Sequence, residues 1–357
     1  MFTLLWWLGP WMDQQKSPSD ISLDKIPISN GEFELFVYRS QKKKSKGAIY
    51  VIPGLHYEGP EDIRLDRFAR VLAASGMIVG VPALPTMKNL IMTPSVWEEN
   101  IQGFECFLQL ELPKKPGVFS ISAASIVAFQ LGAHERWGRY IREMLTFGGY
   151  VDWSESLIFS LDGKIDEDIY IPVDPLGMPV IFLNLLEQLS EIQDKDVFKT
   201  QLLQFVTSTW EKEEMQSFAC YAPLAKEISR DVALQDRELF LQACGVEEGG
   251  VDIIRRIILD ELYDSSWLQP KQFFHKMQTK VTVAHGREDG VIPFTQAERL
   301  WGEIGLEMRG GYHVTGIYHH TGLISLQKLL RMFLQLPTEV WNSIGLVRSI
   351  ARVGGVV

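Results

Sequence analysis

Four short stretches of this 357-residue chain carry residue types that could work together in acyl transfer. The first is Ser120-Ile121-Ser122-Ala123-Ala124, where an apolar run from Gly117 meets an apolar helical pattern that continues to Ala133. A nucleophile raised on a sharp strand–turn–helix junction needs small residues two before and two after it, or those side chains collide. That requirement selects Ser122, flanked by Ser120 and Ala124. Ser120 would have Val118 two before it, and Ser125 would have Val127 two after it. The usual flanking glycines are absent, so the same segment also reads as an ordinary small-residue packing site.

The second stretch is Val281 to Pro293, in which an apolar strand ends in His285-Gly286 and Asp289 opens a loop closed by Ile292-Pro293. A carboxylate there can orient an imidazole and stabilise it once protonated, although Asp289 before Gly290 could equally cap a turn. The third is Tyr312 to Gly322, where a strand leads into His319-His320 just before the last long helix. One of that pair can serve as general base to Ser122. His320, nearer the helix, is preferred, with His319 as second choice. A metal site built on His313, His319 and His320 lacks a carboxylate or cysteine at ligand spacing, and no metal or cofactor is expected. The fourth is Tyr50 to Gly59, an apolar strand entering a loop with two glycines. An oxyanion needs two backbone N–H donors; the Leu55 amide and the Ala123 amide, just after the nucleophile, are the candidates.

The elements that must hold these residues follow from periodicity. Phe33–Tyr38, Ala48–Ile52, Met77–Val81, Gly117–Ile121, Met144–Phe147, Lys280–Ala284 and Tyr312–Tyr318 read as strands. Helical patterns lie between them, at 63–75, 96–112, 123–133, 294–301 and 323–333. Strands that are apolar throughout and separated by helices predict an α/β fold with a mostly parallel sheet covered on both faces. The lysine-rich segment Gln41–Gly47 reads as an exposed hairpin turn. Residues 151–275 interrupt the alternation with helical patterns at 180–189, 197–210, 237–244 and 251–263. The organisation expected is an N-terminal apolar segment and extension over 1–32, a catalytic domain over 33–150 and 276–340, a helical cap or lid over 151–275, and a C-terminal tail over 341–357.

With Ser122, Asp289 and His320 in that chain order, the sequence resembles an α/β-hydrolase-fold serine hydrolase over about 33–150 and 276–335. The segments Asp62-Ile-Arg-Leu-Asp-Arg-Phe-Ala-Arg-Val-Leu-Ala-Ala-Ser-Gly76 and Val79-Gly-Val-Pro-Ala-Leu-Pro85 look like those of bacterial esterase-like members. The resemblance implies ester or related acyl hydrolysis by a Ser122–His320–Asp289 triad, with Leu55 and Ala123 at the oxyanion. Peptidase, thioesterase and acyltransferase activities use the same fold and triad, and a non-catalytic binding protein of this fold is the alternative from another class. A serine at the elbow, in place of aspartate, argues against halide or epoxide substrates.

Composition narrows the partners. With 35 basic and 45 acidic side chains the chain has a net charge of −10, unsuited to binding nucleic acid. Residues 151–275 hold 24 acidic and 10 basic residues, which favours a neutral or apolar acyl substrate over a polyanion. Three scattered cysteines, Cys106, Cys220 and Cys244, fit no disulfide framework, and a cytoplasmic location is expected. Residues Met1–Met12 are apolar and contain Trp6, Trp7 and Trp11, too short a stretch to span a bilayer, which takes about 20 residues. They either pack on the domain surface or make a weak contact with a membrane interface. The oligomeric state is left open by the sequence.

Overall fold

Burial on both faces explains why β3 (Gly47–Ile52) and β4 (Met77–Pro82) read as unbroken apolar runs, since every residue of both strands is buried. They belong to a computed structural model that describes the chain apart from Pro10, Trp11, Gln14, Glu211, Glu261 and residues 317–325. The side chains of Glu213, Val340 and residues 326–338 are also outside the described set. The remaining strands are β1 (Ile21–Ile28), β2 (Phe33–Ser40), β5 (Gly117–Ile121), β6 (Met144–Phe147), β7 (Lys164–Asp166), β8 (Ile169–Tyr170), β9 (Val281–Gly286) and β10 (Arg309–Thr315).

Eight strands form one sheet in the order β1-β2-β4-β3-β5-β6-β9-β10. β2 runs antiparallel to both of its neighbours, β1 and β4, and every other pairing is parallel. This order, with β2 alone reversed, is the α/β-hydrolase fold. Because β3, β5, β6, β9 and β10 are consecutive neighbours running the same way, the loops after their carboxyl ends emerge along one edge of the sheet. That is where open α/β sheets place their chemistry.

Contact-defined grouping divides the chain into two units. The first comprises Met1–Val151, Gln269–Asp289 and Phe294–Val357, and the second comprises Asp152–Leu268 with Gly290–Pro293. The second has helices over Trp153–Asp162, Met178–Leu185, Lys195–Thr209, Phe218–Ile228, Arg237–Ala243 and Gly250–Leu259, together with the β7–β8 hairpin. Phe182, Phe198, Phe205 and Phe240 are almost fully buried in it, and the Phe198 and Phe240 rings meet edge to face with centroids 5.6 Å apart.

Three sequence expectations need correction. The extension over 1–32 contains β1, which pairs with β2 along its full length from Ile21↔Ser40 to Ile28↔Phe33. Asp24, Lys25 and Pro27 hide it from a reading based on apolar runs, and an edge strand tolerates all three. The Lys-rich segment 41–46 is exposed except at half-buried Ser45, yet it is not a hairpin turn, because β4 lies between β2 and β3. Residues 341–357 are not a tail. The helix Leu326–Val353 runs through Pro337, where a proline would ordinarily end it, and buries Leu346, Val347, Ile350, Ala351 and Val353 in the core.

Candidate active site

β5 delivers Ser122 directly. The strand ends at Ile121, a single 3-10 turn spans Ser122–Ala124, and the helix Ser125–Ala133 follows. Ser122 has φ 55°, in the left-handed region that non-glycine residues seldom occupy. The Ser125 N–H donates to the Ser122 carbonyl and closes the turn. Ser120, Ala124 and Ser125 are fully buried around it, while Ser122 itself is half-buried.

Glycines do stand against this turn, but on the segments that follow neighbouring strands. A Cβ at Gly54 would lie 3.6 Å from Ser122 Cβ and 3.3 Å from the Ile121 carbonyl oxygen. The loop after β3, which carries Leu55, therefore passes directly against Ser122. A Cβ at Gly149, after β6, would strike Thr146 Oγ1 and come within 3.0 Å of Ser125 Cβ. Gly148 has φ 68°, and a Cβ there would lie 3.7 Å from both Ser122 Cα and Ser122 N and 3.5 Å from Asp289 Oδ2. One glycine thus faces both the turn that carries Ser122 and the carboxylate of Asp289. The signal for this was the pair Gly148-Gly149 at the end of β6, which sequence reasoning passed over.

Asp289 is buried at the start of the loop after β9. Its N–H donates to the Gly286 carbonyl at 3.3 Å, and His285 Nε2, fully buried, lies 3.6 Å from its Oδ2. The sequence marks His285 only as part of the strand end; the fold buries it beside Asp289. The histidines His319 and His320 lie outside the described residues. The chain reaches them from β10, whose last residue, Thr315, pairs with Gly286 three residues before Asp289. Gly316, the next residue, donates its N–H to Glu339 Oε2 at 2.8 Å. Glu339 is buried and also lies 3.5 Å from Arg287 Nη2. This carboxylate ties the approach to 317–325 to the strand end that carries Asp289, and the sequence offered no periodic clue to it. His313 stands within β10, with Nε2 2.9 Å from Ser349 Oγ. Burial, with the nearby Arg352 charge second, pushes its pKa below the ordinary histidine value.

Leu55 is followed by a small polar cluster. His56 Nδ1 accepts the Glu58 N–H at 3.3 Å, and His56 Nε2 lies 3.6 Å from Asp62 Oδ2. Asp62 caps the helix Ile63–Ala74, accepting from the N–H groups of Arg64 and Leu65, and it also takes the Arg64 guanidinium at 2.8 Å. Burial alone would raise the Asp62 pKa; Arg64, the cap bonds and His56 bring it below the usual carboxylate value. His56, Glu58 and Asp62 are the one set among the described residues whose ligand atoms approach within 4.8 Å of one another. The His56 Nδ1 lone pair and the Asp62 oxygens are already engaged, so the cluster fits a rigid loop better than a cation.

No family model matches the chain, and no curated protein matches it. Among solved structures it is similar to Pyrococcus horikoshii acylaminoacyl peptidase, at 9% identity and a TM-score of 0.45, over 85% of this chain and 38% of that one. The chain thus spans about two fifths of that peptidase. It is also similar to brefeldin A esterase, a bacterial homologue of human hormone-sensitive lipase, at 14% identity and a TM-score of 0.47, over 96% of this chain and 80% of that one. A third is the 2-hydroxy-6-oxo-6-phenylhexa-2,4-dienoate hydrolase of Rhodococcus sp. strain RHA1, at 14% identity and a TM-score of 0.43, over 88% of this chain and 98% of that one.

Proposed function

We propose that the protein is a serine hydrolase that cleaves a carboxylic ester, or a related acyl compound, through an acyl-enzyme intermediate. The observation that carries this reading is Ser122, a non-glycine residue at φ 55° on the turn after β5, with Asp289 and the Gly54–Leu55 loop around the same turn. A packing site has no need of that conformation, whereas a nucleophile elbow does.

In this mechanism the imidazole of His320 takes the Ser122 hydroxyl proton as Oγ attacks the acyl carbon. His319 is the second choice for that base. The tetrahedral oxyanion accepts N–H bonds from Leu55 and Ala123. The protonated imidazole then gives its proton to the leaving alkoxide, leaving an acyl-Ser122 ester. Water, deprotonated by the same imidazole, attacks the acyl carbon and releases the acid, and the proton returns to Ser122. Asp289 orients the imidazole and stabilises its cation. The substrate proposed is neutral or apolar, in keeping with the acidic balance of the chain.

The test is labelling with a fluorophosphonate alongside turnover of short p-nitrophenyl esters. The wild type is expected to label and to turn over, and Ser122→Ala to do neither. An unlabelled wild type, under conditions where an established serine hydrolase reacts, would make this a non-catalytic binding protein. Full activity in Ser122→Ala would move the nucleophile elsewhere.

A further inference from the structure

The helix Phe2–Leu8 presents a two-sided surface. Its inner side is firmly seated: Leu4 is fully buried, and Leu5, Trp7 and Leu8 pack against the core that the helix Ile63–Ala74 and the end of the helix Leu326–Val353 also line. Its outer side carries Phe2, 85% exposed, and Trp6, 59% exposed, one turn apart on the same face. Two large apolar side chains held outward on an anchored helix are not the leftover of a loose terminus.

The surroundings of this face are basic. Lys43 Nζ donates to Thr3 Oγ1 at 3.1 Å and to the Ala74 carbonyl at 2.9 Å. It therefore pins the loop bearing Lys42, Lys43, Lys44 and Lys46 to the helix and to the end of the helix Ile63–Ala74. Arg67 reaches the same helix from below, with Nη2 donating to the Trp7 carbonyl at 2.9 Å. Asp13 is exposed, Asp20 pairs with Lys42 at 2.7 Å, and Val357 lines a cavity with Met1 together with the basic Arg348 and Arg352. Lys44 and Lys46 are exposed on the loop. On a chain of net charge −10, this is a locally positive rim around an aromatic face.

We infer that this face docks on a lipid bilayer carrying anionic headgroups. The amphipathic Trp ring is most stable at headgroup depth, and Phe adds apolar area buried just below it. The lysines beside them meet the negative surface potential, each worth about fivefold in partitioning. The helix lies in the interface rather than crossing it. No described helix is long and apolar enough to span a bilayer.

Sedimentation of the full chain with vesicles tests this without reference to catalysis. Pelleting is expected with vesicles of phosphatidylcholine containing phosphatidylserine, at least tenfold above phosphatidylcholine alone, and is expected to weaken in high salt. Lys44→Gln with Lys46→Gln should lower the anionic preference about 25-fold. Phe2→Ser with Trp6→Ser should abolish pelleting on both vesicle types. These positions are exposed, so circular dichroism and the thermal midpoint should match the wild type. Absence of a phosphatidylserine preference, or pelleting that ignores both double variants, overturns the inference. So does a dimer in sedimentation velocity that Phe2→Ser with Trp6→Ser dissociates, because the face would then belong to a second copy of the chain.

Discussion

Ser122 holds its backbone at φ 55°, a conformation that costs a non-glycine residue on the order of 1 kcal/mol or more. Its surroundings over-determine it. The buried Ser120 and Ala124 leave no room to relax on the turn, and Gly54 and the pair Gly148-Gly149 bring two neighbouring backbone segments close around it. The strain gives a measurable signature that is separate from turnover. Ser122→Ala and Ser122→Gly should both abolish ester cleavage, but glycine takes positive φ freely. Ser122→Gly should therefore exceed Ser122→Ala in unfolding free energy by about 1 kcal/mol in urea titration. Equal or reversed stabilities would mean that no strain resides there. The small flanks that single out Ser122 are local, so they could be read along the chain. The glycines that replace the expected pair come from the segments after β3 and β6, and only the sheet order brings them to β5. Asp289 was legible as a strand-end carboxylate, whereas the buried His285 beside it needed the folded loop to be recognised.

The helix Ile63–Ala74 depends on one residue at its start. Asp62 accepts the N–H groups of Arg64 and Leu65, and it faces both the Arg64 guanidinium and His56 on the loop that bears Leu55. Losing such a cap should cost about 1–2 kcal/mol at neutral pH, so Asp62→Ala should lower the urea midpoint. The pH dependence has a definite sign. The folded pKa of Asp62 lies below its unfolded value, so its ionised form contributes stability above about pH 4. That contribution is lost as pH falls through the folded value, because the protonated side chain no longer pairs with Arg64. The gap between wild type and Asp62→Ala should therefore be widest near neutrality and close below about pH 4; a gap that grows with acid would reverse the assignment. Elements with one strong pattern were plain in the sequence: β3 and β4 are buried throughout, and β5 is buried up to Ile121. β1 was obscured by Asp24, Lys25 and Pro27. The continuation of Leu326–Val353 was obscured by Pro337, since packing of Leu346, Val347 and Ile350 overrides a local stop signal.

Charge is divided unevenly over the molecule. The unit formed by Asp152–Leu268 and Gly290–Pro293 holds 24 acidic and 9 basic side chains, so the other unit is net positive by 5 within a total of −10. The lysine rim beside Phe2 and Trp6 belongs to the positive unit. The sum still governs the approach of small charged molecules at long range, where a potential of one sign slows ligands of the same sign. Two p-nitrophenyl esters of equal chain length, one neutral and one ending in a carboxylate, provide the measurement. At low ionic strength the carboxylate ester should show the lower kcat/KM, with the deficit chiefly in KM, because repulsion acts before the acyl group reaches Ser122. Added salt shortens the screening length to about 10 Å at 0.1 M, so kcat/KM for the carboxylate ester should rise while that for the neutral ester stays level. If both esters respond to salt alike, or if the carboxylate ester is preferred, then the field of the whole chain does not select substrate. A local cation near the reacting centre would then outweigh the net charge.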